Sequence, residues 1–292
     1  MRVLRVAMLV LVVPLLGGCD ILQNPDEPTP LDELVNYDAL GASDTIGFGG
    51  SSPCPLPLLP CTSGSGYVQQ VTRRLESDGH EVNLRNLGWP GMVLSPETQT
   101  LMEDAGTCVQ QGTNVCRNML LEGAPYIRRV ATLVTIFIGA NDANAIGRAI
   151  RDGRTSGLSQ TEFIEWQIDK FAQDMQVAVT TVRTEAPEAR IIILNLPNMA
   201  NTPYAADLTT SEKRVLQALT VGFTEGINAL DGGNVEVVDL MCDANFYKPG
   251  IFSSDGFHPN DTGYNYLTER VYAAVTSSVP DPRASCGFMT VF

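Results

Sequence analysis

Five short apolar, β-branched runs punctuate the chain: Val35 to Leu40, Glu81 to Leu87, Leu133 to Ile138, Ile191 to Leu196 and Val235 to Leu240. Runs apolar on both faces predict buried parallel strands rather than strands with one wet face. Between them the period changes. Ile164, Ile168, Phe171, Met175, Val179 and Val182 recur every three or four residues, which predicts a helix with one buried stripe. Leu216, Leu219, Phe223, Ile227 and Leu230 repeat that pattern, and Tyr67 to Asp78 and Thr262 to Val275 complete the helical set. Strand–helix alternation predicts an α/β domain whose parallel sheet is covered on both faces.

The N-terminus departs from that alternation. Arg2 and Arg5 precede an apolar run from Val6 to Leu16. Its length suits the core of an export signal and is too short to cross a bilayer as a helix. Residues 1–18 are therefore expected to be a signal peptide. The run ends in Leu16-Gly17-Gly18-Cys19, which resembles the lipobox of bacterial lipoproteins, where the cysteine is diacylated and becomes the mature N-terminus. Cys19 is the expected lipidation site, with ordinary secretion as the alternative. Residues 19–31, rich in Pro and acid, then read as a tether, and residues 32–292 as one globular domain. The expected location is extracytoplasmic, lipid-anchored to a bacterial membrane, periplasmic or cell-surface. Asp20 resembles the retention signal of enteric bacteria, a rule that does not transfer to every phylum, so the membrane stays open.

Charge and cysteines agree with export. The formal charge is −14, and loss of Arg2 and Arg5 with the signal makes the mature chain more negative still. That disfavours nucleic acid and anionic membrane surfaces as partners. Of seven cysteines, lipidated Cys19 leaves an even set with fifteen possible pairings. Proximity favours Cys54–Cys61 and Cys108–Cys116, leaving Cys242–Cys286, a pattern natural to an oxidising compartment. With no C-x-x-C and no clustered histidines, no metal site is expected.

Four motifs carry chemistry, in the order D-A-L-G-A-S-D-T around Ser43, N-L-G-W-P-G ending at Gly91, I-G-A-N-D at Asn141, and D-G-F-H from Asp255 to His258. Each follows a predicted strand or precedes the last predicted helix, where open α/β sheets form their ligand crevice. A serine hydroxyl needs a base to become nucleophilic, and imidazole titrates near neutral pH. His258 is the candidate base; the other histidine, His80, has no motif beside it and reads as a surface residue. Asp255, three residues before His258, can reach the far imidazole nitrogen and fix its tautomer.

Together the four motifs resemble the SGNH (GDSL-type) hydrolases, serine esterases and lipases named for their Ser, Gly, Asn and His. The resemblance implies a three-layer α/β/α sandwich with a central parallel five-stranded sheet, flavodoxin-like. It implies a catalytic triad of Ser43, His258 and Asp255, and an oxyanion hole of the Ser43 amide, the Gly91 amide and the Asn141 side chain. Gly88 is the second choice for the glycine, and Pro90 stands where serine is common in the family. Ala42 replaces the Asp of the family's first block, a position outside the triad, and Asp44 reads as a local hydrogen-bonding residue. No G-x-S-x-G occurs, which argues against an α/β-hydrolase nucleophile elbow.

The expected activity is carboxylic-ester hydrolysis through an acyl-enzyme, with no cofactor and the chain acting as a monomer. The substrate is an ester, lipid or acetylated glycan of the cell envelope or its surroundings. An O-acyltransferase using the same site and a non-catalytic surface-binding lipoprotein are the alternatives. Three features leave substrate identity open. The apolar loop between Cys54 and Cys61 reads as an acyl-chain wall or a tied-down surface loop. Trp89 reads as a sugar platform or as packing for the neighbouring insertion. Arg148, Arg151 and Arg154 read as an anion site or a solvated helix face. Ser95 to Arg129 reads as a lid or flank.

Overall fold

The computed structural model describes residues 31–55, 61–110 and 113–292. The expected signal peptide, Cys19 and all but the last residue of the tether lie outside the described residues, as does most of the apolar loop between Cys54 and Cys61.

Among the described residues, seven strands and seven α-helices follow one another: β1 (Leu34–Gly41), α1 (Tyr67–Ser77), β2 (Glu81–Asn86), α2 (Pro96–Asp104), β3 (Val109–Gln110), β4 (Thr113–Asn114), α3 (Met119–Glu122), β5 (Leu133–Phe137), α4 (Ala140–Arg151), α5 (Gln160–Glu185), β6 (Arg190–Leu194), α6 (Thr210–Asn228), β7 (Val235–Val238) and α7 (Asp261–Thr276). The five longer strands form one sheet in the order β2-β1-β5-β6-β7, parallel throughout. This is the flavodoxin-like order, whose direction of winding reverses between β1 and the third strand, here β5. Helices α1 and α7 pack together, and α5 packs on α6, which also meets α4. The fold is a three-layer α/β/α sandwich.

The apolar runs become strands because both faces of the central ones are covered: every residue of β5 is buried. The edge strand differs. Expected to be buried, β2 has no fully buried residue: Glu81 and Asn83 are exposed and the other four are half-buried, at the edge of the sheet. The helical stripes also fold as their spacing predicts. Phe171 of α5 stacks on Phe223 of α6, with ring centroids 3.9 Å apart. Both helices open with a capping box, Ser159 with Glu162 and Thr209 with Glu212, so their first amides have partners.

The stretch from Ser95 to Arg129 contains α2, the short β3–β4 ladder and α3. Arg128 closes it onto β1. Its guanidinium donates to the fully buried Asp38 at 2.6 Å and its amide to the same carboxylate at 2.8 Å. Three disulfides join Cys54 to Cys61, Cys108 to Cys116 and Cys242 to Cys286, the pairing that sequence proximity favours.

Candidate active site

Ser43 begins a single 3-10 turn directly after β1. The strand can end this abruptly because Gly41 sits at φ 149°, with its Cα so close to β5 that a Cβ would lie 2.3 Å from the Phe137 carbonyl oxygen. Thr45 behind the serine bonds its hydroxyl to the Ala42 carbonyl at 2.7 Å, and its own carbonyl accepts from Asn86 and Gln69. The turn is thus held from two neighbouring segments.

His258 arrives from the loop before α7. Ser43 Oγ and His258 Nε2 are 2.8 Å apart, and His258 Nδ1 lies 2.7 Å from Asp255 Oδ2. The imidazole is flanked by the rings of Phe48 and Phe257, with centroids 4.7 and 4.8 Å from its own. Asp255 Oδ1 accepts from the Phe257 amide, the His258 amide and the Ser253 hydroxyl at 2.8, 2.9 and 2.7 Å. Partial burial raises the carboxyl's pKa, but the hydrogen bonds to His258, Ser253 and Phe257 outweigh it and hold the group down at about 2. Asp255 is therefore an ionised acceptor facing the imidazole. The loop itself is fixed by Asn260, which caps α7 and donates to the carbonyls of Gly250 and Phe252.

The other two motifs meet above the β1–β5 junction. Trp89 donates its amide to the Gly41 carbonyl at 3.0 Å, which pins the loop carrying Gly91 beside Ser43. Asn141, in the first turn of α4, donates a side-chain hydrogen to the Met92 carbonyl at 3.0 Å. A primary amide has two such hydrogens, so the second stays available to a ligand. Asp142, next along α4, accepts the Leu94 amide at 2.9 Å. Burial raises its pKa to about 7, against hydrogen bonds from the Leu94 amide and the Thr98 side chain. The two candidate glycines separate clearly. The Gly88 amide donates to Asn86 Oδ1, and its Cα is packed so tightly on Thr45 that no side chain fits. Gly91 has φ 77° and open space around its Cα.

Ser43, Asp255 and His258 are thus in direct hydrogen-bond sequence, and the loops bearing Gly91 and Asn141 converge on the same strand ends. Asp44 is buried; burial raises its pKa, and the neighbouring His258 charge pulls it the other way. His80 lies away from the site, its Nδ1 2.8 Å from the Asp32 carbonyl oxygen.

The open alternatives divide residue by residue. Trp89 packs against the insertion: its indole N–H donates to the Val115 carbonyl at 2.8 Å, and Arg117 lies over its ring. Arg154 donates to the Leu101 carbonyl and pairs with Asp152. Arg151 pairs with Asp152 and Glu212, whereas Arg148 donates to Asn144 on its own helix. The flanking contacts of Phe48, Phe257 and Ser253 have no sequence signal, because each depends on how a loop folds back.

The family model described as GDSL-like lipase/acylhydrolase matches residues 39–266. No curated protein matches the chain. Among solved structures, a lipase, Lip_vut3, from a goat rumen metagenome is similar at 19% identity and TM-score 0.55, covering 83% of this chain and 98% of its own. The acetylxylan esterase Axe2 of Geobacillus stearothermophilus is similar at 14% identity and TM-score 0.50, covering 86% and 97%. An extracellular lipase of Streptomyces rimosus is similar at 15% identity and TM-score 0.50, covering 82% and 99%. At these identities the likeness is one of fold.

Proposed function

The chain belongs to the GDSL-like lipase/acylhydrolase family and hydrolyses ester bonds, and from that premise we propose that Ser43, His258 and Asp255 are its catalytic triad. The observation that carries this reading is the unbroken hydrogen-bond line from Ser43 Oγ through His258 to Asp255. Ser43 Oγ attacks the ester carbonyl carbon while His258 Nε2 takes its proton. Asp255, held ionised, orients the ring and stabilises the imidazolium that forms. The Ser43 and Gly91 amides and the free hydrogen of Asn141 receive the oxyanion. The carbon–oxygen bond to the alcohol then breaks, the alkoxide takes the proton from His258, and the acyl group remains on Ser43. Water, deprotonated by His258, attacks that acyl-enzyme, the bond from the acyl carbon to Ser43 Oγ breaks, and His258 returns the proton to Oγ as the acid leaves. Every proton is accounted for by the one imidazole.

The same reading places the enzyme outside the cytoplasm on a lipid at Cys19. The lipobox-like Leu16-Gly17-Gly18-Cys19 supports it, as do three disulfides in a chain of this size. Cys19→Ser is expected to move the protein from the detergent-rich phase to the aqueous phase in Triton X-114 partition. Equal partition of wild type and variant would remove the anchor.

The test of the triad is hydrolysis of p-nitrophenyl acetate by wild type and Ser43→Ala. Turnover lost in the variant, with its melting temperature unchanged, is the expected result. Turnover retained by Ser43→Ala would contradict the assignment.

A further inference from the structure

Ser43 and His258 stand 215 residues apart in the chain, yet their side chains meet at 2.8 Å. One follows the first strand and the other precedes the last helix, so a third element must set that distance. The first turn of α7 bonds to both neighbourhoods. On the side of the base, Asn260 at the cap of α7 donates to the carbonyls of Gly250 and Phe252, each at 2.9 Å. On the side of the nucleophile, Asp261 accepts the Ser51 amide at 2.7 Å, and the Tyr264 hydroxyl donates to the Phe48 carbonyl at 2.6 Å. The Phe48 amide in turn donates to the carbonyl of Ser43 itself at 3.1 Å. One residue therefore separates the Tyr264 hydroxyl from the backbone of the nucleophile.

The segment held in this way also lies against the base. Phe48 sets its ring beside the imidazole. Gly49 comes so close that a Cβ there would lie 2.7 Å from both His258 Cβ and the Pro259 carbonyl oxygen. A shift of this segment thus moves both the ring and the backbone on which His258 packs. Tyr264 is fully buried, and a buried phenol needs an acceptor somewhere. What links this one to the reaction is that its acceptor lies in that segment. Burial, and after it the neighbouring Asp44 charge, raises the Tyr264 pKa well above its ordinary value, so the hydroxyl keeps the hydrogen that it donates.

We propose that Tyr264 is a positioning residue for ester hydrolysis, with Asp261 beside it. Together they tie the segment after Ser43 to the helix that carries the base loop, and so hold Oγ within reach of Nε2. This role rests on the serine-hydrolase reading and adds the bracket that aligns its two reacting side chains. Because Tyr264 is buried, it acts through Phe48 and His258 rather than by touching substrate.

The experiment is steady-state hydrolysis of p-nitrophenyl acetate by Tyr264→Phe, with Tyr272→Phe as the control. Tyr272 lies about two turns further along α7, where its hydroxyl donates to Asp78. In Tyr264→Phe, kcat is expected to fall about tenfold with KM within about twofold of wild type, since misplaced reacting groups slow the chemical step and leave binding intact. In Tyr272→Phe both constants are expected to stay near wild type. In a His258→Ala background the Tyr264→Phe loss is expected to vanish, because the residue acts through the imidazole. Asp261 is exposed, so its variants test the bracket without disturbing the core if Tyr264→Phe does not fold: Asp261→Ala is expected to lower kcat, and Asp261→Asn, which keeps an acceptor for the Ser51 amide, to restore it. An unchanged kcat in Tyr264→Phe would overturn the inference. So would an equal fall in Tyr272→Phe, or a Tyr264→Phe loss of the same size with and without His258. The two readings fail separately: a fully active His258→Ala would remove the triad, whereas a fully active Tyr264→Phe beside an inactive His258→Ala would remove only the bracket.

Discussion

Asp255 has both carboxylate oxygens engaged, one by the imidazole and one by two amides and a hydroxyl. That network lowers its pKa to about 2. A lowered carboxylate contributes stability above its unfolded pKa of about 3.9 and loses it as pH falls toward 2. Asp255 therefore stays ionised throughout the range in which an esterase is assayed, and its titration is not expected to shape kcat/KM above about pH 4. Asp255→Asn is expected to lower kcat by about 10⁴ without unfolding the protein, because it presents the wrong partner to Nδ1. A fall below tenfold in steady-state hydrolysis would contradict the role. Asp142 titrates in the opposite sense, since burial raises it to about 7. From about pH 4 to pH 7 the unfolded chain releases this proton before the folded one does, so stability falls with rising pH across that window. In Asp142→Asn that slope disappears: the melting temperature of the variant relative to wild type is expected to rise between pH 5 and pH 8. A pH-independent difference would contradict it. The four motifs were readable because each is contiguous in the chain. Phe48, Phe257 and Ser253 were not, since nothing in the sequence says which loop folds over the imidazole.

At the scale of elements, periodicity located all five sheet strands to within a residue or two, because burial on both faces leaves continuous apolar runs. It misjudged β2, whose partly apolar sequence hides an edge position that depends on topology. The stretch from Ser95 to Arg129 resisted reading for a different reason. Its helices are short, and their order comes from caps and tertiary bonds such as Ser95 on the Thr98 amide and Asn118 on the Leu121 amide. Its anchor is the Arg128–Asp38 pair, which leaves a buried carboxylate without its cation if cut. Arg128→Ala is expected to destabilise the fold by roughly 3–5 kcal/mol, the range for breaking one partner of a buried ion pair. Urea denaturation measures this, and a change below 1 kcal/mol would show the pair to be dispensable.

At the scale of the whole molecule, the proposed nucleophile and the Asn141 motif stand where the direction of sheet winding reverses. Ser43 follows β1, Asn141 follows β5, and these strands are neighbours, so two loops leave in opposite directions and open the crevice. Sequence order alone could put each motif at a strand end; only strand order brings them to one place. The resemblance supplied that order, and the sheet has it. The disulfide between Cys242 and Cys286 closes a loop of 44 residues and ties the C-terminal segment to the chain just past β7. On the chain-entropy account such a closure is worth roughly 4 kcal/mol. The double variant Cys242→Ser, Cys286→Ser is expected to melt well below wild type, and an unchanged melting temperature would contradict that. The most direct test of the central claim is covalent: incubate the protein with a fluorophosphonate and map the adduct by peptide mass spectrometry. A single phosphonylated residue at Ser43, lost in His258→Ala, is the predicted result. No adduct on Ser43, or the adduct on another serine, would contradict it.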